Sequence, residues 1–302
     1  MNTKHLNIGM IGLDTSHCEA FTKLLNDSSH PYHVEGGRVI SAYPGGSEDF
    51  ELSINRVDQI TDTLKEQYGI IIRDSIRAVA EESDAILLTS VDGRVHLEQF
   101  ENIVSLGKPV FIDKPFAVRS DHARKMFELA EKHQTPLMSA SSLRFSVELD
   151  EALADAEEGS IIGVDSFGPM NIQETQGGLF WYGIHSAEML FRAMGKGCVE
   201  VQATTNEAYE MVVGVWEDGR IGTLRGNRKG NSLFGVTIHR EGGTQFVNAS
   251  KHPKPNYAGL LECAIPFFQN GEASINPQET IEIIRFLEAA NESRETGKAV
   301  KL

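Results

Sequence analysis

Apolar residues come in two textures along this chain. In the first third they form short unbroken runs: Leu6 to Ile11, Val39 to Tyr43, Gly69 to Ile72, Ala85 to Ser90 and Val110 to Ile112. Runs of this length, closed by glycine, proline or polar residues, match strands buried on both faces. Between them apolar positions recur at helical spacing, as Val57, Ile60, Leu64 and Tyr68 do, and then Leu97, Phe100 and Val104. Gly107 should end the second pattern, because glycine takes the left-handed conformation that closes a helix. Ala123, Met126, Phe127 and Ala130 predict a further helix, and Pro136 to Ser139 a last strand. Strand–helix alternation of this kind predicts an α/β fold with a parallel, doubly wound sheet.

The texture changes near residue 150. Glu148 to Glu158 predicts one helix. Strand-like runs then dominate, at 161–167, 199–205, 208–216, 220–225, 235–240 and 245–247. Glu217-Asp218-Gly219 and Glu241-Gly242-Gly243 fall between runs as hairpin turns, so the second region is expected to be α+β with an open antiparallel sheet. Asn276-Pro277-Gln278-Glu279 predicts a helix start, with Ile281, Ile284 and Leu287 as its apolar stripe and Gly297 as its stop. We therefore expect two domains, 1–140 and 141–302.

Composition narrows the function classes. The chain has 302 residues, with 28 basic against 43 acidic side chains and a formal charge of −15. That charge repels phosphate backbones, and no basic stripe is present, so a nucleic-acid partner is not expected. No apolar run approaches the roughly 18 residues of a membrane span. Met1 to Asn7 lacks a signal-peptide core, and a cytoplasmic location is expected. Cys18, Cys198 and Cys263 are far apart and form no CxxC pair. His30-Pro31-Tyr32-His33, with His17 and Cys18 upstream, is read as a polar loop between helix and strand. No metal site is expected.

The most informative stretch is Gly107-Lys108-Pro109-Val110-Phe111-Ile112-Asp113-Lys114-Pro115. It sets Lys114 at the carboxyl end of a buried strand, the edge where open α/β sheets bind ligands. The competing reading is a solvated surface lysine. Ser90-Val91-Asp92-Gly93-Arg94-Val95-His96 brings polar groups to the same edge. For His96 the competing reading is a helix-start histidine satisfied locally.

Gly9-Met10-Ile11-Gly12-Leu13-Asp14-Thr15-Ser16-His17 lies where a dinucleotide fingerprint belongs, after the first strand and opening a helix. Asp14 and His17 occupy the positions of the second and third glycines. Ser16-His17-Cys18-Glu19 reads as a capping box, which would occupy the helix N–H groups. The second strand ends in Tyr43-Pro44-Gly45-Gly46-Ser47, not in an acid. That turn suits a 2′-phosphate, with Arg56 nearby, or a plain turn.

In the second region, Gly177 and Gly178 lead through Trp181 and Tyr182 into a helix carrying His185 and Glu188 three apart, on one face. Here a cleft-lining histidine competes with a structural one.

On Lys114 and His185 together, the chain resembles the glucose–fructose oxidoreductase/inositol dehydrogenase/rhizopine-catabolism family, Gfo/Idh/MocA. The matching stretches run in order: Gly9 to Gly12, His96, Gly107 to Pro115, Gly177 to Glu188 and Leu287 to Leu302. Asp113-Lys114-Pro115 stands for the family's Glu-Lys-Pro. Ser142-Leu143-Arg144-Phe145 resembles its post-strand Arg–aromatic pair.

The resemblance implies a Rossmann domain, then a sheet domain that builds a homodimer or homotetramer. It implies NAD or NADP, framed by Gly9, Gly12, Asp14, Thr15 and Ser16, by Tyr43 and Ser47, and by Ser90, His96, Asp113 and Lys114. It implies a sugar- or polyol-like substrate met by Lys114, Arg144, Trp181, Tyr182 and His185, with Lys114 and His185 catalytic. Lys114 would contact the reacting oxygen and His185 would shuttle the hydroxyl proton. Trp181 stands where many relatives carry an aspartate, which leaves Glu188 or Tyr182 to orient the histidine, while Trp181 itself could stack on a sugar ring. Two other readings stay open: a non-catalytic sensor or regulatory protein with lost or altered dinucleotide binding, and a reductase of short acids or imines.

Overall fold

The apolar runs of the first third become one six-stranded sheet. The structure, a computed structural model, describes residues 5–155 and 157–302. Strands β1 (Leu6–Ile11), β2 (Gly37–Tyr43), β3 (Ile71–Ile72), β4 (Ala85–Leu88), β5 (Val110–Ile112) and β6 (Leu137–Ser139) alternate with helices α1 (Ser16–Asn26), α2 (Glu51–Tyr68), α3 (Ile76–Glu82), α4 (His96–Ile103) and α5 (Ser120–His133). The order is β3-β2-β1-β4-β5-β6, and every pair is parallel. All residues of β4, β5 and β6 are buried, as their unbroken apolar runs require. The strand order reverses between β1 and β4, which opens a crevice beyond their carboxyl ends. Gly107 caps a 3₁₀ turn after α4 in the left-handed conformation.

The second sheet takes up the later runs. Its strands are β7 (Ile161–Pro169), β8 (Cys198–Thr205), β9 (Tyr209–Trp216), β10 (Ile221–Asn227), β11 (Gly235–Arg240), β12 (Thr244–Asn248) and β13 (Val300–Lys301), in the order β12-β11-β7-β10-β9-β8-β13. The expected antiparallel sheet needs one correction, because β7 and β10 pair in parallel. Helices α6 (Val147–Ala154), α7 (Gly183–Met194), α8 (Asn256–Asn270) and α9 (Pro277–Thr296) complete the chain. Phe191 of α7 packs 5.5 Å from Trp216 and 5.6 Å from Phe286 of α9. A Cβ on Gly214 or Gly222 would lie about 3 Å from the Trp216 ring, so both glycines make room for it.

Contacts divide the described chain into two units that are not contiguous, unlike the expected split at 140/141. The first ends at Ala140 but takes back Leu260–Pro277, while Val118–Ser120 join the second. The returning piece contains most of α8, which was not among the predicted elements. Its sequence is apolar on most sides and holds Pro266 inside the helix, so no clean helical stripe shows. Ile265 lies against Gly36, where a Cβ would come within 2.6 Å of it. Helix α6 stops at Ala154, short of the expected Glu158, because Asp155 takes an extended conformation (φ −76°, ψ 111°) after its N–H makes the last helical bond to the Glu151 carbonyl. Residue 156, within that prediction, and the first four residues of Met1 to Asn7 lie outside the described residues. Among the described residues no helix is long and apolar enough to cross a membrane.

Gly12 is the tightest point of the first unit. Its φ is +90°, and a Cβ there would stand 2.2 Å from Ser90 Oγ and 2.5 Å from Ser90 backbone atoms. Gly12→Ala should therefore destabilise the protein by about 2 kcal/mol or more. Urea denaturation would read this as a lower midpoint at unchanged slope, and an unaltered midpoint would refute it.

Candidate functional site

Each unit carries its own cluster of buried polar residues. In the first unit the cluster lies at the carboxyl edge of the sheet. Lys114 follows β5 and is 8 % exposed. Burial lowers its ammonium below the usual lysine range, Asp113 opposes that shift, and Arg56 of α2 adds to it. The Asp113 carboxylate accepts the Lys114 N–H at 2.8 Å and lies 2.5 Å from His17 Nδ1. Burial alone would raise Asp113, but His17 and Lys114 outweigh it and hold the carboxyl below the usual range. The His17–Asp113 pair thus ties the start of α1 to the end of β5.

The turn after β1 is built differently from the expectation. Thr15, not Ser16, caps α1, and its hydroxyl accepts the His17 N–H at 3.4 Å, so the Ser16–Glu19 capping box does not form. Asp14 is turned inward and is 1 % exposed. It accepts from Ser53 Oγ at 2.5 Å and from the Val91 N–H at 2.9 Å. Burial raises its carboxyl, against the pull of these donors. Ser53 also accepts the Ser47 N–H at 2.9 Å, which links the β2 turn to the same carboxyl. The Tyr43 carbonyl accepts the Gly12 N–H at 2.9 Å, and the Pro44 carbonyl accepts the Leu13 N–H at 2.6 Å.

Other predicted residues take structural places. Gly9 lies inside β1, where a Cβ would meet Ser83 Oγ at 2.4 Å and Val79 at 2.6 Å, so its smallness serves packing against the α3 segment. His96 is fully buried, with Nε2 at 2.7 Å from the Ser90 carbonyl and Nδ1 at 3.1 Å from the Phe116 carbonyl. Both ring nitrogens thus face backbone carbonyls, and whichever carries the proton donates to its own. Arg94 forks onto Asp92 and Asp49, joining the loops after β4 and β2.

These residues fit a dinucleotide. Ser90 Oγ is buried without a hydrogen-bond partner among the described residues, directly against Gly12. Ser16 is exposed on the first turn of α1, where helix N–H groups favour an anion. Because Asp14 faces inward, its charge does not confront a phosphate.

In the second unit the cluster centres on α7. His185 Nδ1 lies 2.6 Å from Ser141 Oγ. Its ring meets Tyr182 and Phe234 edge-on, at 5.9 and 5.4 Å. Glu188 does not orient it. That carboxylate accepts from Arg144 Nη1 at 3.2 Å, and Arg144 Nη2 donates to Glu279. Arg144 is therefore held between two carboxylates at 5 % exposure, and Trp181 is 6 % exposed. Burial pushes Glu188 up to about 7, with Arg144 opposing and Glu279 adding to the shift. Sequence reasoning missed Ser53, Ser141 and Glu279. A serine just after a strand is a visible capping signal for Ser141, but its partner lies 44 residues away.

The Glu188 shift fixes a pH dependence. The unfolded carboxyl ionises near 4.5 and the folded one near 7, so the folded chain binds the extra proton between them and stability falls as pH rises through that window. Glu188→Gln removes this component. Its urea midpoint relative to the unmodified protein should move in favour of glutamine between about pH 5 and about pH 8. An equal difference at both values would show that Glu188 is not the titrating group.

Residues 6–141 match the family model described as "Oxidoreductase family, NAD-binding Rossmann fold", GFO_IDH_MocA. A comparison with curated proteins finds no match. Among solved structures, scyllo-inositol dehydrogenase from Lactobacillus casei with bound NAD(H) and scyllo-inositol superposes with a TM-score of 0.81 at 15% identity, covering 99% of each chain. Myo-inositol 2-dehydrogenase from Lactobacillus plantarum gives 0.81 at 16%, covering 99% of this chain and 100% of that one. A myo-inositol dehydrogenase from Corynebacterium glutamicum gives 0.78 at 15%, covering 99% of each. At such identities the likeness is one of fold, and it extends over both units. Residues 6–141, with their Rossmann sheet and their Asp113-Lys114-Pro115 edge, thus match the model of the Gfo/Idh/MocA oxidoreductase family, and the remainder of the chain shares the fold of the inositol dehydrogenases.

Proposed function

We propose that this protein is an NAD(P)-dependent oxidoreductase acting on a CH–OH group of a sugar- or polyol-like substrate. The observation that carries the reading is Lys114, a buried lysine at the carboxyl end of β5 in an NAD-binding type of sheet. The inositol dehydrogenases of the same fold support the substrate class. When bound, the dinucleotide supplies the hydride acceptor. Ser16, the first turn of α1 and Ser90 would hold it, with the Tyr43-to-Ser47 turn beside them.

The chain's own residues handle charge and protons. Oxidising an alcohol leaves a developing alkoxide, and a cationic or hydrogen-bonding Lys114 stabilises it. His185 takes the hydroxyl proton, since an imidazole titrates near operating pH. Assigning both residues to one substrate rests on the family resemblance. Arg144 acts here by holding Glu188, not by meeting substrate. Cysteine usage supports a cytoplasmic location.

We also assign the outer face of the second sheet to a homodimer or homotetramer contact. Tyr209, Ile221 and Phe246 are exposed there, at 44%, 53% and 64%. A second reading, a non-catalytic sensor, is favoured by one observation: the Leu13 N–H, which a fingerprint turn keeps for phosphate, is bonded to Pro44.

Titration with NADH and NADPH, followed by tryptophan fluorescence, tests the enzyme reading. We expect saturable binding of one dinucleotide, and no binding of either at millimolar concentration sinks the enzyme reading. With a turned-over polyol in hand, Lys114→Ala and His185→Gln should each lower kcat by about 100-fold or more. Sedimentation should show a dimer or tetramer that Ile221→Arg with Phe246→Arg reduces to monomer. A monomeric unmodified protein would refute the sheet contact.

A further inference from the structure

Trp181 stands where the resemblance places a carboxylate, and an indole has no acceptor to offer a histidine. A polar group that meets His185 comes instead from the turn after β6. Ser141 is fully buried and opens the 3₁₀ turn Ser142–Phe145. Its Oγ accepts the Leu143 N–H at 3.3 Å, and its carbonyl accepts the Arg144 N–H at 3.1 Å. The same Arg144 bonds Glu188 and Glu279. The hydroxyl 2.6 Å from His185 Nδ1 is thus anchored through several backbone and side-chain bonds. Tyr182 and Phe234, stacked 10° from parallel, stand edge-on to the imidazole and limit its rotation.

We propose that Ser141 is the positioning residue of His185, its oxygen accepting the Nδ1–H bond and so keeping the Nε2 lone pair for the substrate's hydroxyl proton. A serine oxygen has two lone pairs and one proton. Leu143 N–H takes one lone pair and Nδ1–H takes the other. If the hydroxyl donated to Nδ1 instead, the neutral ring would carry its proton on Nε2 and could not act as base there. On oxidation the hydroxyl proton would pass to Nε2, while a bound dinucleotide would supply the acceptor for the hydride released from the same carbon. The ring becomes an imidazolium, and its Nδ1–H bond to Ser141 stays as it was. A neutral acceptor therefore serves both directions of the reaction without itself changing protonation. Position is fixed from Ser141 and its anchors, whereas a carboxylate orienter would add a charge.

The inference rests on the oxidoreductase reading, and its test separates the two. In the full chain labelled with ¹⁵N-histidine, the His185 resonances are those lost in His185→Gln. We expect neutral His185 to show a protonated Nδ1 and an unprotonated Nε2, mixed tautomers in Ser141→Ala, and recovery of the single tautomer in Ser141→Thr. Kinetically, Ser141→Ala should lower kcat by about 10- to 100-fold, the scale of losing a group that orients a functional histidine, with KM little changed. Ser141→Thr, which keeps the hydroxyl, should recover most of the loss. An Nε2–H tautomer in the unmodified protein overturns the proposal without any variant. Undiminished turnover in Ser141→Ala, with His185→Gln inactive, overturns the role of Ser141 alone. Undiminished turnover in His185→Gln overturns the histidine's role and with it that of Ser141.

Discussion

A parallel sheet buried on both faces leaves polar side chains no place but its edges. In the first unit this constraint orders everything near Lys114. Strands β4, β5 and β6 are buried at every residue, and the chain turns polar as each leaves the sheet. Ser90, Asp92, Asp113 and Lys114 all fall at that edge, and all are buried. A buried charge without a partner is expensive, so each carboxylate here has found donors. Asp113 has His17, Asp14 has Ser53 and the Val91 N–H, and Asp92 has Arg94. These bonds run between elements, so they also set where the crevice loops lie.

The second unit meets the same constraint with a different solution. Its buried charges are gathered on one arginine between two glutamates, against the helix that carries His185. Removing one partner of such a group leaves the others uncompensated and typically costs about 3–5 kcal/mol, while the intact group adds little net stability. Its value is positional. The backbone carbonyl of Ser141 accepts the Arg144 N–H, so the charged group and the histidine's hydroxyl partner form one connected framework. The aromatic residues around His185 restrict the ring where no hydrogen bond can.

Much of this was legible in residue pattern. Continuous apolar runs, glycine stops and hairpin turns located the strands and the change of texture near residue 150. Periodicity failed where local and tertiary demands parted. Helix α8 carries Pro266 and has apolar residues on most sides, because it packs against the start of β2 instead of lying on a surface. The parallel pairing of β7 with β10 joins strands separated by two others in sequence, which turn signals cannot report. Asp14 shows the limit most plainly. In sequence it is an acid in a phosphate turn, and only its bond to Ser53, 39 residues away, turns that charge inward.

The sequence by itself determined the doubly wound sheet, the placing of Lys114 at a strand's carboxyl end and the pairing of His185 with Glu188 on one helix face. Those follow from periods of two and 3.6 residues and from where glycine and proline interrupt them, all of which are local. Only the tertiary structure decided what each polar group touches. It gave Glu188 to Arg144 and His185 to Ser141, and it closed His96 on two backbone carbonyls. Partners of buried polar groups are chosen by burial and distance between remote segments, and no residue's own spacing carries that information.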